Sequence, residues 1–450
     1  MKRLTDLDIS KEIAFHVKKN GGRTFFVGGC VRDLILGVEC KDIDIEVHGI
    51  SPSVLEQIID RFGEKITIGV SFGIYNIKGH SIDIAIPRKE SLRGTSHKDF
   101  DIVVDPFVGT QNAAIRRDFT INSLMQDVLT GEIIDHFNGI NDLKNHIIRH
   151  VCEKTFIEDP LRVLRACQFA ARLNFSVSID TIELCKTMDL SKIPAERVVE
   201  ELKKALLKSN KPSLFFETLR KMDQLDYWFK EVKDLIGVEQ NPHFHQEGDV
   251  WTHTMMVLDV ATKYRDKVKN PFGFMLSALT HDFGKPSSTK IINGVIHSNC
   301  HEINGIEVAK NFIKRLTNEN ELIKYVLNMT EYHMKPNILA FDNASIKDSN
   351  MMFDLSVDPL GLIFLAISDS QGMILDHPYV SHENFLLKRL EIYNEYMERP
   401  YVTGKDLIKA GLTPSINFSE ILDYAHTLRL DGIKKEEAMK KILNYSKKFK

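Results

Sequence analysis

Apolar residues recur at every second position in short runs through the first 150 residues, and at helical spacing through most of the remaining chain. The first pattern predicts strands and the second amphipathic helices. Ser10 is placed to cap a first helix that stops at Asn20–Gly21–Gly22. TFFVGG then reads as a strand, VRDLILG as a short helix and DIDIEVHG as a second strand. A helix near 53–62 precedes the β-rich runs KITIGV, GIYNIKG and HSIDIAIP. PRKESLRGTSHKDFD has no apolar period and predicts a mobile loop. From about 151 to 235 the pattern is helical, clearest in LRVLRACQFAARLNF and ERVVEELKKALL. Histidines concentrate between 243 and 333, again on helical sequence, and a last stretch from Arg399–Pro400 ends in DGIKKEEAMKKILNYSKKFK.

At 450 residues and 43% hydrophobic, the chain can bury large cores, and its length suggests about three domains. Its formal net charge is only −3, so RNA contact requires local basic patches. Six cysteines (30, 40, 152, 167, 185, 300) form no CxxC pair. That argues against a zinc ribbon or a disulfide framework and fits reduced thiols in the cytoplasm. The N-terminus lacks the apolar core of a signal peptide. No uncharged apolar run is long enough to span a membrane.

The chemistry starts at FFVGGCVRDLILGVECKDIDIEV, residues 25–47. Side chains at i and i+2 on a strand share a face, so Asp42 and Asp44 project together, shortly after Gly28 and Gly29. Convergent carboxylates suit a pair of Mg²⁺ ions, which complete their coordination with water and phosphate oxygens. The glycines let backbone N–H groups approach a triphosphate. Asp83, in HSIDIAIP, reads equally as a third metal ligand or proton acceptor and as a sheet-edge aspartate. In AIRRDFTINSLMQD, Arg116 and Arg117 offer forks for triphosphate oxygens. Asp118 and Asn122, four apart, share a face if the segment is helical and suit ribose hydroxyls. In EDPLRVLRACQFAARLNF, Glu158 and Asp159 open a helix, with Asp159 and Arg162 on one face. Asp159 accepting from an exocyclic amino group while Arg162 donates to the ring nitrogen selects C and A and rejects G and U. The alternative is an i,i+3 salt bridge. Arg165 reads as a further neck contact or a structural pair.

GGCVRD, the KDID pair, RRDFTINS, IIDHFNGINDL and EDPLRVLRACQFAARL stand in the order found in class II tRNA nucleotidyltransferases. The chain resembles that family, the CCA-adding enzymes and the related bacterial poly(A) polymerases, over roughly its first 210 residues. The resemblance implies an α+β protein, a polymerase-β-like nucleotidyltransferase head followed by an all-α neck, an HD-type body and a tail. The expected divisions are 1–150, 151–235, 236–390 and 391–450. It implies that Asp42 and Asp44 hold Mg²⁺, with Asp83 at a third acidic position that is Glu in many members. Gly28, Gly29, Arg32, Arg116 and Arg165 join the nucleotide contacts; Arg117, Asp118 and Asn122 match the ribose-recognition element, and Ser123 stands where alanine is common. EDxxR is the base-selecting motif, here Asp159 and Arg162. Residues 87–101, with Arg88 and Arg93, resemble the family's flexible loop only weakly. The implied partners are tRNA, CTP and ATP.

HFHQEGDVWTHTMMVLD, ALTHDFGKP, HSNCHEINGIEVA and EYHMKPN come next along the chain. The adjacent His281–Asp282, with a histidine before and an aspartate after, resembles an HD phosphohydrolase domain over about 245–375. The resemblance makes His253, His281, Asp282 and Asp369 metal ligands. His301 and His333 fit a second metal or phosphate, and Lys285 a phosphate. Such a donor set suits a divalent transition metal or Mg²⁺ rather than a structural zinc. RPYVTGKDLIKAGLTPS resembles the tRNA-holding tail, and Lys434, Lys435, Lys440, Lys441, Lys447, Lys448 and Lys450 give a local positive excess. The expected activity is addition of CMP, CMP and AMP to tRNA 3′ ends, with HD hydrolysis as a side activity. The alternatives are a poly(A) polymerase or partial CC- or A-adding enzyme, an HD phosphohydrolase with a degenerate head, and a non-catalytic tRNA chaperone.

Overall fold

The computed structural model describes residues 5–38, 42–67, 73–92, 100–375, 381–399 and 401–449. They form two compact units, one of Met1–Ile193 with Leu214–Gln224, the other of Pro194–Ser213 with Leu225–Lys450. The chain therefore passes from the first unit to the second, returns for eleven residues, and leaves again.

In the first unit the opening helix spans Asp6–Lys19, and Thr5 caps it through a capping box with Asp8. Ser10, expected as the cap, lies inside the helix, where its hydroxyl donates to the Asp6 carbonyl at 2.8 Å. The strands are β1 (Arg23–Val27), β2 (Ile43–His48), β3 (Lys65–Thr67), β4 (Ile74–Ile77), β5 (Ile82–Ala85), β6 (Arg88–Leu92), β7 (Phe100–Val104), β8 (Met125–Asp127) and β9 (Ile133–Ile134). Seven form one sheet in the order β3-β4-β5-β2-β1-β8-β9. Its β2–β5 pair is parallel, with Asp44 opposite Asp83. β6 and β7 form a separate antiparallel ladder, so the ends of the segment expected to be a loop are strands. Arg93 lies outside the described residues.

Alternation on β2 places the site. Ile45 and Val47 are fully buried against Ile82 and Ile84 of β5 and against Ile13, Val17, Leu55 and Ile59 of the covering helices. With the odd positions committed to that core, Asp44 and Glu46 must point to the opposite face. Elsewhere in the first unit, Phe119 packs edge to face on Phe156 and on Phe169. They anchor the helix Leu161–Leu173, which ends on Asn174 in the left-handed conformation.

The second unit is mainly helical. Helix Ala195–Lys208 buries Val198, Leu202, Ala205 and Leu206 and packs on helices Pro271–Thr280 and His301–Leu316. Helix Val250–Ala261 packs on Pro271–Thr280 and on Pro359–Gln371. A short hairpin pairs Thr289–Ile292 with Val295–Ser298. Near the C-terminus a separate small core gathers Leu407, Ile421, Ala425, Leu428, Ala438 and Ile442. Among the described residues no single helix is long and apolar enough to cross a membrane.

Candidate active site and candidate metal centre

On the open face of the sheet Asp44 meets three charges. Burial, then repulsion from Asp83, raises its pKa to about 6, with Arg117 opposing and Asp42 adding to the rise. Asp83 also accepts from the Asn76 amide at 2.6 Å. A cluster of carboxylates that suppresses its own ionisation has the donor chemistry for a hard divalent cation. Gly28, at φ 65° and ψ −129°, makes the turn before helix Gly29–Ile35. A Cβ at Gly28 would lie 3.2 Å from Arg117 Nη1 and 4.0 Å from Asp44 Oδ2, so the glycine admits the arginine beside the acids.

Arg117 is held from behind by a residue that the sequence pattern had not singled out. Glu46, 8% exposed, accepts from Arg117 Nη2 at 3.0 Å and pairs with His48 Nε2 at 2.8 Å. Its place as the next even position after Asp42 and Asp44 was the available signal. Arg116 is 4.0 Å from Glu158.

The remaining predicted nucleotide contacts form a buried chain. Arg32 Nη1 donates to Asn122 Oδ1 at 2.7 Å, and Asn122 Nδ2 donates to Asp118 Oδ1 at 3.0 Å. Asp118 also accepts from the Phe119 N–H at 2.8 Å and from Arg165 Nε at 2.8 Å. Burial opposes the Asp118 charge, but Arg165 and Asn122 hold its pKa below the usual carboxylate range. Asp118 and Asn122 do meet, across a 3₁₀ turn, Thr120–Asn122, rather than along an α-helix face. They pair with each other inside the protein.

Helix Leu161–Leu173 starts after Pro160, later than expected. Asp159 thus precedes the helix, and its Oδ1 accepts from the Leu161 N–H at 3.0 Å. Arg162 donates to the carbonyls of Thr155 at 2.6 Å and Arg116 at 2.8 Å. Asp159 therefore lies ahead of the helix, and Arg162 is anchored on backbone carbonyls, rather than both sharing one helix face. Arg165, expected as a neck contact or structural pair, sits 2.6 Å from Asp118.

In the second unit the histidines converge. Among the described residues, ligand atoms of His253, His281 and Asp369 form one group within 4.8 Å, those of Asp282, His301 and His333 a second, and those of His245, Glu247 and His253 a third. His253 Nε2 is 3.0 Å from Asp369 Oδ1, and His301 Nε2 is 3.2 Å from Asp282 Oδ1. His281, His301 and His333 each place Nδ1 on a backbone carbonyl, those of Ala278 (2.9 Å), Ser298 (2.8 Å) and Thr330 (2.7 Å). That assigns the proton to Nδ1 and leaves the Nε2 lone pair facing the cluster. His281 Nε2 and both Asp282 oxygens are buried, and the oxygens meet ammonium and imidazole nitrogens of the cluster, with His281 Nε2 3.2 Å from Asp282 Oδ2. Buried carboxylate oxygens and imidazole nitrogens converging within 4.8 Å fit a metal ion.

Charge in the cluster is mutual. Burial opposes a charge on His253, yet the Asp369 and Glu247 carboxylates raise its pKa to about 9. His333 goes down to about 3, through burial and then the neighbouring His281 and His301. Lys285 Nζ is 2.7 Å from Asp282 Oδ2 and donates to Gln240 Oε1 at 2.7 Å. A cavity of about 420 Å³ opens on the cluster, lined by Asp282, Lys285, His301 and Asp369 with His245 and Phe244. Glu247 and Gln240 were not singled out from the sequence. Glu247 lies in an irregular turn between His245 and helix Val250–Ala261, where no periodicity marks it.

A nucleotidyltransferase head joined to an HD-type body is the class these two sites define. Three family models match in order: the poly A polymerase head domain over residues 24–149, a probable RNA and SrmB-binding site of polymerase A over 174–236, and an HD domain over 250–370. The Multifunctional CCA protein of Actinobacillus pleuropneumoniae serotype 5b (strain L20) is 34% identical over 316 residues, which cover 69% of this chain and 74% of that one. That of Haemophilus ducreyi is 33% identical over 316 residues, with the same 69% and 74% coverage. The chain belongs to this family of CCA-adding tRNA nucleotidyltransferases that carry an HD domain. Its fold is that of the Thermotoga maritima CCA-adding enzyme complexed with tRNA, at TM-score 0.63 and 20% identity over 97% of this chain and 94% of that one. A CCA-adding enzyme in complex with CTP has TM-score 0.66 and 21% identity, covering 98% and 94%.

Proposed function

We propose that this chain adds CMP, CMP and AMP to the 3′ end of tRNA from CTP and ATP and releases pyrophosphate. The observation that carries the reading is the carboxylate cluster on β2 and β5 beside the Gly28 turn and Arg117. Asp42, Asp44 and Asp83 are the residues that would hold Mg²⁺. When bound, that metal activates the attacking hydroxyl and neutralises charge on the leaving pyrophosphate. Gly28 lets the backbone approach the phosphates, and Arg117, braced by Glu46, supplies a fixed cation to their oxygens. Asp159 and Arg162 select the base. The two backbone bonds of Arg162 set the direction of its remaining N–H groups. Asp118 and Asn122, linked to Arg32 and Arg165 by hydrogen bonds, would meet the ribose and phosphates of the nucleotide.

The functional divisions in this reading are a head at 1–150, a neck at 151–235, an HD body at 236–390 and a tail at 391–450 that contacts tRNA phosphates through its lysines, acting in the cytoplasm. The test incubates tRNA lacking its 3′ CCA with CTP, ATP or both and resolves products at single-nucleotide steps. Three additions ending in A are expected. An adenosine tract, or arrest after two cytidines with ATP present, assigns the chain to a poly(A) or CC-adding type instead.

The convergent buried imidazoles and carboxylates of the second unit favour a second activity, hydrolysis of phosphoesters at the HD site. His253, His281, Asp282 and Asp369 would hold a divalent metal there, of the transition series or Mg²⁺. His301 and His333 would hold a second ion or the phosphate, and the metal when bound supplies an activated water. Lys285 and the cavity would hold the phosphate against the cluster.

A further inference from the structure

Glu247 is a heavily engaged side chain of the second unit, outside the residues assigned above to nucleotide addition and to the HD metal, and its carboxylate lies within 4.8 Å of ligand atoms of His245 and His253. Its side chain is fully buried, with Oε1 2.8 Å from His245 Nδ1 and 3.0 Å from His253 Nδ1. Oε2 accepts from the Ile374 N–H at 2.9 Å. The neighbouring Gln246 N–H donates to the Ile374 carbonyl at 3.1 Å, so the turn at 246–247 is tied twice to the segment just after helix Pro359–Gln371. That helix carries Asp369, and helix Val250–Ala261 carries His253. One carboxylate thus fastens two ligand-bearing helices.

The four ligand imidazoles also differ in how they are fixed. Three rest Nδ1 on a backbone carbonyl, whereas His253 Nδ1 faces the Glu247 carboxylate as an ion pair at 3.0 Å, outside hydrogen-bond angles. A carbonyl is a neutral acceptor. A carboxylate favours the same tautomer and, being charged, also makes the imidazole a stronger donor at Nε2.

We propose that Glu247 is a positioning residue for the HD metal: it orients His253, raises its basicity as a ligand, and clamps the Asp369 helix end in register with it. This rests on the HD reading above. It requires that metal affinity, and not only fold stability, depends on this carboxylate. Loss of an outer-shell partner of this kind typically lowers metal affinity about 10- to 100-fold.

The experiment titrates Ni²⁺ into the EDTA-stripped full chain with Mg²⁺ in excess. Mg²⁺ occupies the carboxylate site of the head, and Ni²⁺ prefers imidazole. Wild type, Glu247→Ala, Glu247→Gln and His281→Ala are compared by calorimetry and by metal content after gel filtration. CMP addition by the head and the melting temperature serve as controls of folding. The expected result is tight Ni²⁺ binding by wild type and none by His281→Ala. Glu247→Ala should bind about 10- to 100-fold more weakly. Glu247→Gln should fall between, because the amide keeps one acceptor oxygen but loses the charge. Should Glu247→Ala lower the melting temperature and leave Ni²⁺ affinity at the wild-type value, the carboxylate is a structural clamp only and the proposal is overturned. Absence of Ni²⁺ binding by wild type overturns the HD metal reading itself, and this inference with it. If Glu247→Ala no longer adds CMP, the Glu247→Gln affinity decides: equal to wild type refutes the proposal, weaker supports it.

Discussion

Asp44→Asn tests the head twice, because it removes a charge that the fold resists and the chemistry needs. The Asp44 pKa stands at about 6 against an ordinary 3.8, through burial and the Asp83 and Asp42 charges. A rise of about two units is roughly 3 kcal/mol at about 1.4 kcal/mol per unit. Asp44 is only partly buried, so solvent screening leaves about 1–2 kcal/mol. For a carboxylate whose folded pKa is raised, the destabilisation is complete above the folded value and vanishes below the unfolded one. In EDTA at pH 7.5 the Asn variant should therefore melt roughly 2–8 °C above wild type. The gap should close as the pH falls from about 6 toward 3.8. Mg²⁺ should raise the melting temperature of wild type and leave the variant unmoved. CMP addition should fall roughly 10²–10³-fold. Differential scanning calorimetry across pH, with and without Mg²⁺, reads the first effect and gel-resolved single-turnover addition the second. An Asn variant that melts below wild type in EDTA at pH 7.5, or adds CMP at a near-normal rate, refutes the reasoning.

Arg162→Ala should lower discrimination for CTP and ATP over UTP and GTP by roughly 10-fold, and lower the melting temperature, since the Thr155 and Arg116 carbonyls lose a donor. Equal proportional losses in kcat/KM for all four triphosphates would show that it does not read bases. His281→Ala or Asp282→Ala should abolish metal-dependent hydrolysis of 2′,3′-cyclic nucleotides and keep CMP and AMP addition; no hydrolysis by wild type with Mn²⁺, Ni²⁺, Co²⁺ or Mg²⁺ refutes the activity. In the metal-stripped chain His253 has its pKa raised from 6.5 to about 9. Its contribution to stability is then full below pH 6.5 and lost as the pH rises through about 9. The unfolding midpoint of the stripped protein should fall over that window, and His253→Gln should flatten the fall; an equal fall in the variant assigns it to other groups.

What could be read from the sequence tracked the range of the forces involved. Asp44 and Asp83 were visible because strand alternation is a local rule, and their pairing across β2 and β5 needs only correct register. Spacing placed Asp118 and Asn122 together but could not show their partners, since Arg165 and the Phe119 N–H reach Asp118 through the tertiary fold and the local turn. The β6–β7 ladder went unseen because the segment has no apolar period while backbone hydrogen bonds join its strands. Pro160 moved the helix start beyond Asp159, so Asp159 and Arg162 do not share a helix face, although they stay three residues apart. Glu46 obeys the same alternation that gave Asp44 and was overlooked. Glu247 had no periodic signal at all, since its partners are set by a turn and by Ile374, more than a hundred residues later.

The double passage of the chain between the two units bears on how the protein is made. On the ribosome the helix Ala195–Lys208 emerges with its apolar stripe of Val198, Leu202, Ala205 and Leu206. Its packing partners, Pro271–Thr280 and His301–Leu316, are not yet synthesised. The first unit meanwhile waits for Leu214–Gln224 before it is complete. At about 5–20 residues per second, the stripe stays uncovered for several seconds in every nascent chain. The interval is longer than the folding time of most small domains. A trigger-type chaperone that shields this helix, or a translational pause that lengthens its exposure, would act on the yield of the whole enzyme without touching either site.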